Sequence, residues 1–175
     1  MDPIIIIRGG GNIASGVALR LFRTGFRMVV IELEQPLTVR RTVSFSEAIY
    51  NGQTSEEDVQ ARKINSIEDM NNSFEKNEIP VLADENLKLL RSKIFNFPVL
   101  IDARMEIKPP RINYIKTVPL VIGISPGFTV GFDFHIAIES NRGHFLGQIY
   151  RKGTALSDTG RPAGDPTRIL RSPIT

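Results

Sequence analysis

The sequence predicts an α/β protein built on a doubly wound, mostly parallel sheet, and three observations carry that reading. Ile4 to Ile7 is an unbroken apolar run, the pattern of a strand covered on both faces. Three glycines follow, and then apolar residues fall at Ile13, Ala14, Val17, Ala18, Leu21 and Phe22, a helical stripe. Met28 to Leu33, MVVIEL, supplies a second strand, so strand, glycine turn, helix and strand are complete within about thirty residues, the length of a right-handed crossover unit.

The later elements follow in order. Gly25 is placed to close the first helix as a C-cap residue. Ser44 to Glu47 has the Ser-x-x-Glu spacing of a capping box and predicts a short helix ending near Asn51-Gly52. Residues 53 to 79 are polar and acidic, with a short strand expected at Val59 to Ile64 and a helix near Ile67 to Phe74. Pro80 to Ala83 reads as a strand, Asn86 to Lys93 as a helix carrying Leu87, Leu89 and Leu90, and Phe97 to Ile101 as another strand. The character changes after Pro109-Pro110, and Pro119 to Ile122 is expected as a last parallel strand before the loop GISPGFTVG. FHIAIES and FLGQIY alternate with period two around the turn NRGH and predict a β-hairpin. Two units are therefore expected: an α/β domain over residues 1–127, and a small β-hairpin-rich extension over 128–175 that ends in the Pro- and Gly-rich tail SDTGRPAGDPTRILRSPIT.

Composition narrows the function. A chain of 175 residues with 41% hydrophobic content can fill a core. No run approaches the ~20 apolar residues of a spanning helix, and Ile4 to Ile7 is too short for a secretion signal, so a soluble, cytoplasmic protein without a membrane partner is expected. The absence of cysteine excludes disulfides, thiolate nucleophiles and Cys-type metal sites. The net charge of +3 is concentrated in the tail: residues 1–150 hold 17 basic and 17 acidic residues, residues 151–175 five and two. With no basic stripe and no tryptophan for stacking, a nucleic-acid partner is not expected.

The glycine turn carries the chemistry. Written from Gly9, it reads Gly9-x-Gly11-x-x-Ala14, the dinucleotide fingerprint of a Rossmann-like fold, set between a strand and a helix as that fingerprint requires. One glycine permits a sharp turn, another admits a pyrophosphate close to the backbone, and the helix N-terminus offers free N–H groups. Ala14 is small enough for helix to pack on strand, and Glu32, 21 residues after Gly11, is placed to accept a ribose hydroxyl. Gly9, Gly10, Gly11, Asn12 and Glu32 are therefore cofactor-binding candidates, with Asn12 more naturally an N-cap than a specificity residue. A turn that merely reverses a strand into a helix would also need glycine, so the fingerprint alone does not decide.

The tips of the other parallel strands add candidates, because ligands in such sheets sit beyond the carboxyl ends of strands. They are Arg40 and Arg41 after the second strand, Asp102 and Arg104 after FPVLI, and Gly123, Ser125 and Gly127 after PLVI. Arginines at a crevice clamp phosphate or carboxylate, though each of these could equally be solvated or paired with a nearby acid. DFHIAIESNRGH holds both histidines of the chain. Arg142 and His144 are candidate ligand contacts; no metal is assigned, and were one held, His135, Glu139 and His144 would be its candidates.

Five blocks, IIIIRGGGNIASGVALRLFRTGFRMVVIE, RRTVSFSEAIYNG, VLIDARM, VIGISPGFTVG and IESNRGHFLGQIYRKG, resemble in order the selenium-dependent molybdenum hydroxylase system accessory proteins. The glycine turn also has some similarity to the xanthine-dehydrogenase accessory proteins that handle molybdenum cofactor. The resemblance implies a bacterial maturation factor, more a binding protein than a catalyst, that holds a nucleotide or molybdopterin-type cofactor and serves a molybdenum hydroxylase apoprotein. It also implies that the chain stops before a further β module. Relatives more often carry Asp at the position of Asn12. The alternative is an NAD(P)-dependent oxidoreductase, but Tyr50, Tyr114 and Tyr150 have no lysine four residues later to complete a proton-donating pair. A homo-oligomer is left open.

Overall fold

The computed structural model describes residues 3–105 and 114–156. Pro109-Pro110 and the tail from Ser157 lie outside the described residues. The protein is mixed α/β. Its strands are β1 (Pro3–Arg8), β2 (Arg27–Glu32), β3 (Gln53–Glu56), β4 (Val59–Ile64), β5 (Ile79–Ala83), β6 (Asn96–Asp102), β7 (Leu120–Ile124), β8 (Ile136–Ile138) and β9 (Ile149–Tyr150), with helices α1 (Asn12–Arg23), α2 (Ala48–Asn51) and α3 (Met70–Glu75). All nine strands form one sheet in the order β3-β4-β5-β2-β1-β6-β7-β8-β9. From β4 across to β8 every neighbouring pair is parallel, and only the outermost pairs, β3 with β4 and β9 with β8, are antiparallel.

The isoleucine run explains the two-sided core. Alternate residues of a strand face opposite ways, so Ile4 and Ile6 enter one core with Val29, Ile31, Leu100 and Val121. Ile5 and Ile7 enter the other with Met28, Val30, Ala14 and Ala18. Burying each such side chain contributes about 1.5–3 kcal/mol, which is why a central strand has no room for polar alternation. Ala14, Ser15 and Ala18 form the buried face of α1, and their small size lets the helix sit close on β1 and β2. No described helix is long and apolar enough to cross a membrane.

Several expected elements change form. The Ser44 hydroxyl donates to the Arg40 carbonyl at 2.6 Å rather than capping a helix, and residues Phe45–Glu47 form a 3-10 turn leading into α2. The capping box forms instead at Ser66 and Asp69, ahead of α3. The helix expected over 86–93 is a 3-10 turn at Lys88–Arg91, because Leu87 takes a left-handed conformation (φ 51°) and the Asp84 carboxylate accepts the Leu89 N–H at 2.8 Å. That turn buries both Leu87 and Leu89, which outweighs helix propensity here. Asn12 is the first residue of α1, and Gly11 occupies the N-cap position. FHIAIES and FLGQIY do pair antiparallel, through β8 and β9, but β8 also runs parallel to β7 and so extends the main sheet.

On the far side of the sheet Arg62 grips Glu78 with Nε at 2.5 Å and Nη2 at 2.8 Å, and this guanidinium holds the Glu78 carboxyl below its ordinary range. A carboxylate depressed in the folded state stabilises fully above its unfolded pKa of about 4.3 and loses that contribution as pH falls through the folded value. Glu78→Gln is therefore expected to lower Tm at pH 7. The gap from wild type should narrow in melts run progressively below about pH 4. A gap that stays constant down to pH 2 would contradict this assignment.

Candidate functional site

Beyond the carboxyl ends of β1, β2 and β6 lies a cavity of ≈ 550 Å³, bordered by the glycine turn, the start of α1 and the segment after β2. The three glycines there do three different jobs. Gly9 has φ +97°, a conformation that side chains rarely adopt, and a Cβ would also press on the Arg104 backbone at 3.2 Å. Gly10 is packed against a neighbouring segment: the Ser46 N–H donates to its carbonyl at 2.9 Å, and a Cβ would lie 2.9 Å from that same nitrogen. Gly11 is open. The nearest atom to a Cβ built on it is Thr38 Oγ1 at 3.9 Å, and the residue borders the cavity.

The turn is held rigidly. Gly10 N–H donates to Glu32 Oε1 and Leu33 N–H to Oε2, both at 2.7 Å. Ser15 Oγ donates to the Gly10 carbonyl at 3.0 Å and accepts the Phe45 N–H at 2.8 Å. Glu32, expected to meet a ribose, thus first fastens the glycine turn to the end of β2, and it borders the cavity. The N-terminus of α1 has no side-chain cap and no acidic residue in its first turn, so its positive end faces the cavity unopposed by its own sequence.

Four arginines divide by partner. Arg40 is exposed and borders the cavity. Arg41 does not: its Nε and Nη2 clamp Glu47 at 2.7 Å each, and its guanidinium lies 5.1 Å over the Tyr50 ring. Arg104 borders the cavity while gripping the buried Asp102 through Nε at 3.0 Å and Nη2 at 2.9 Å. The fourth is Arg8, which sequence reasoning passed over as the last residue of β1. It is 8% exposed, borders the cavity, and donates from Nη2 to the Glu85 carbonyl at 3.0 Å. Its Nη1 makes no hydrogen bond among the described residues and stands 3.6 Å from Asp102 Oδ2, with Tyr114 beneath the guanidinium. The one buried carboxylate of Asp102 therefore serves two guanidinium groups. The signal in the sequence was a charged residue ending a run of isoleucines, which only a carboxylate from another strand could accommodate.

Other candidates lie elsewhere. Gly123 is an internal packing position: a Cβ there would fall 2.5 Å from Phe128 and 2.9 Å from Phe134, whose stacked rings, 4.3 Å apart, fill its open side. Ser125 is fully buried, and the Gly127 N–H donates to the Leu156 carbonyl. Arg142 and His144 are exposed in the turn before β9, and His144 meets the Phe145 ring edge-on. His135 Nδ1 accepts the Val121 N–H at 3.0 Å; Glu139, 1% exposed, accepts the N–H groups of Asn141 and Leu156 at 2.8 Å each. No group of three or more His, Asp or Glu side chains able to hold a metal occurs among the described residues. A second cavity of ≈ 750 Å³ adjoins the first and shares Leu33 and Glu85 with it; its remaining lining, including Glu34, Glu68 and Lys88, is more polar.

No family model and no solved structure matches the chain. Among curated proteins it is similar to "Uncharacterized protein YqeB" of Escherichia coli (strain K12), 38% identical over 174 residues, which cover 97% of this chain and 32% of that protein. The chain thus spans about a third of the length of the relative it matches.

Proposed function

We propose that the chain is the ligand-holding unit of an accessory factor for molybdenum hydroxylases, with a Rossmann-type crevice that takes a nucleotide or a molybdopterin-type cofactor bearing a phosphate and presents it to a hydroxylase apoprotein. The observation that carries the binding part is Gly11. Its neighbours Gly9 and Gly10 are consumed by backbone geometry and packing, whereas Gly11 stands open beside the uncapped start of α1 with the cavity in front of it. A turn made only to reverse a strand has no need of that third glycine. Arg8 and Arg104, which share Asp102, border the cavity together with the exposed Arg40 and with Glu32 and Glu85, and ≈ 550 Å³ falls within the usual range of small-molecule sites. These groups fit a phosphate-bearing heterocycle. The part concerning molybdenum hydroxylases rests on the resemblance of the five sequence blocks.

The test is a calorimetric titration with ATP, CTP, GDP, NAD, NADP and molybdopterin cofactor on wild type and Gly11→Val. Because a Cβ at Gly11 makes only an ordinary 3.9 Å contact with Thr38 Oγ1 and the residue borders the cavity, the variant should keep its Tm and lose at least about tenfold in affinity for whichever ligand binds. Failure of every ligand to bind below about 1 mM, or unchanged binding by the variant, defeats the proposal.

A further inference from the structure

The cavity is bordered by two chemically distinct sets of residues. One is the glycine turn, Asn12 and the buried Arg8. The other, an apolar lip, is four exposed or partly exposed side chains: Leu37 (86% exposed), Val39 (95%), Ile13 (41%) and Met105 (36%). Single exposed apolar residues are ordinary, but four bordering one charged cavity are a different observation.

The segment that carries two of them is fastened in place. Pro36 is buried and its carbonyl accepts the Tyr50 hydroxyl at 2.9 Å, while Thr38 Oγ1 is hydrogen-bonded to Ser46 Oγ at 2.9 Å. Residues 36 and 38 are thus the anchors, and the alternate residues 37 and 39 are left exposed. The apolar pair is held out by design of the local backbone. Ile13, the second residue of α1, and Met105, just past Arg104, border the same cavity.

Resting on the nucleotide-type reading above, we infer that this lip is the subsite for the ligand's flat heterocyclic ring, held by Leu37, Val39, Ile13 and Met105 while its anionic group lies at the glycine turn. The ligand class is therefore a ring and a phosphate joined at a distance that spans the cavity. A bare sugar phosphate or an inorganic anion uses only the glycine turn. Recognition by apolar contact reads the ring's flatness and surface rather than its hydrogen-bonding edge, so purine, pyrimidine and pterin rings are all accepted, with larger rings favoured by area.

The exposure of Leu37 and Val39 makes the test clean, since neither supports the core. Leu37→Ser, Val39→Ser and the double variant are titrated with the tightest nucleotide of the panel, with ribose 5-phosphate and with inorganic pyrophosphate, beside Gly11→Val. Each lip substitution should weaken the nucleotide roughly fivefold to tenfold, with the double variant weaker than either, and leave ribose 5-phosphate and pyrophosphate unchanged. Gly11→Val should weaken all three probes. Equal loss for nucleotide and pyrophosphate, or no loss for the nucleotide in the double variant, overturns the lip assignment. If nucleotide binding depends on Gly11 but not on Leu37 or Val39, only this inference fails; if no nucleotide binds wild type, the underlying reading fails and takes this one with it.

Discussion

Asp102→Asn should cost about 3–5 kcal/mol of folding stability. The carboxamide keeps the shape of the side chain, so no cavity opens and the effect isolates the charge. Asp102 is 2% exposed, is gripped in bidentate fashion by Arg104, and stands 3.6 Å from an Arg8 nitrogen that has no hydrogen bond among the described residues. Neutralising it takes the carboxylate charge from beside two guanidinium groups, one of them 8% exposed. Arg8 keeps little contact with solvent, only where it borders the cavity, so hydration replaces little of the lost charge. Denaturant unfolding measures the loss. Adding Arg8→Met to Asp102→Asn should recover part of it, because the least hydrated charge is then gone. A loss under about 1 kcal/mol for the single variant would mean that the cluster is solvated and that Arg8 is not the buried cation described.

Gly10→Ala is the second large effect, about 1–3 kcal/mol of destabilisation from one methyl group. The added Cβ would lie 2.9 Å from Ser46 N and 3.1 Å from Ser46 Cα. Those are backbone atoms, held by the hydrogen bond from Ser46 N–H to the Gly10 carbonyl, so no side chain can swing away to make room. The turn must shift, and with it the N–H that Glu32 accepts. Thermal unfolding of Gly10→Ala beside Gly11→Val therefore separates two functions within adjacent residues. The first variant should melt early; the second should melt with wild type and fail only in ligand binding. Equal melting of both would refute the division of labour among the glycines.

The sequence made the first crossover legible because everything that determines it is local: four isoleucines, a glycine turn, a 3.6-residue stripe and a second apolar run. It also placed Glu32 and Gly11 at the cavity, since the fingerprint encodes a spacing that the sheet converts into proximity. What it could not show were choices made across long sequence separations. Arg40 and Arg41 are neighbours of the same type, and only the position of Glu47 and the Tyr50 ring sends Arg41 away from the crevice. Gly123 has the look of a ligand-facing glycine until Phe128 and Phe134 are folded against it. The leucines of 86–93 suit a helix on propensity, yet burial of Leu87 in a left-handed turn prevails. Leu37 and Val39 gave no periodic signal, because their outward placement depends on Pro36 and Thr38 being held from residues 46 and 50.

The place of β1 in the sheet order governs which openings the cavity survives. Three strands lie between β1 and the edge strand β3, three lie between it and the edge strand β9, and its immediate partners are β2 and β6. Partial openings that peel an edge, whether the two residues of β9 or the short β3, leave the floor beneath the glycine turn intact. Arg8, Gly9 and the start of α1 follow the central strand, so openings confined to either edge leave their support in place. A ligand of the kind proposed would find the glycine turn already assembled on the central strand.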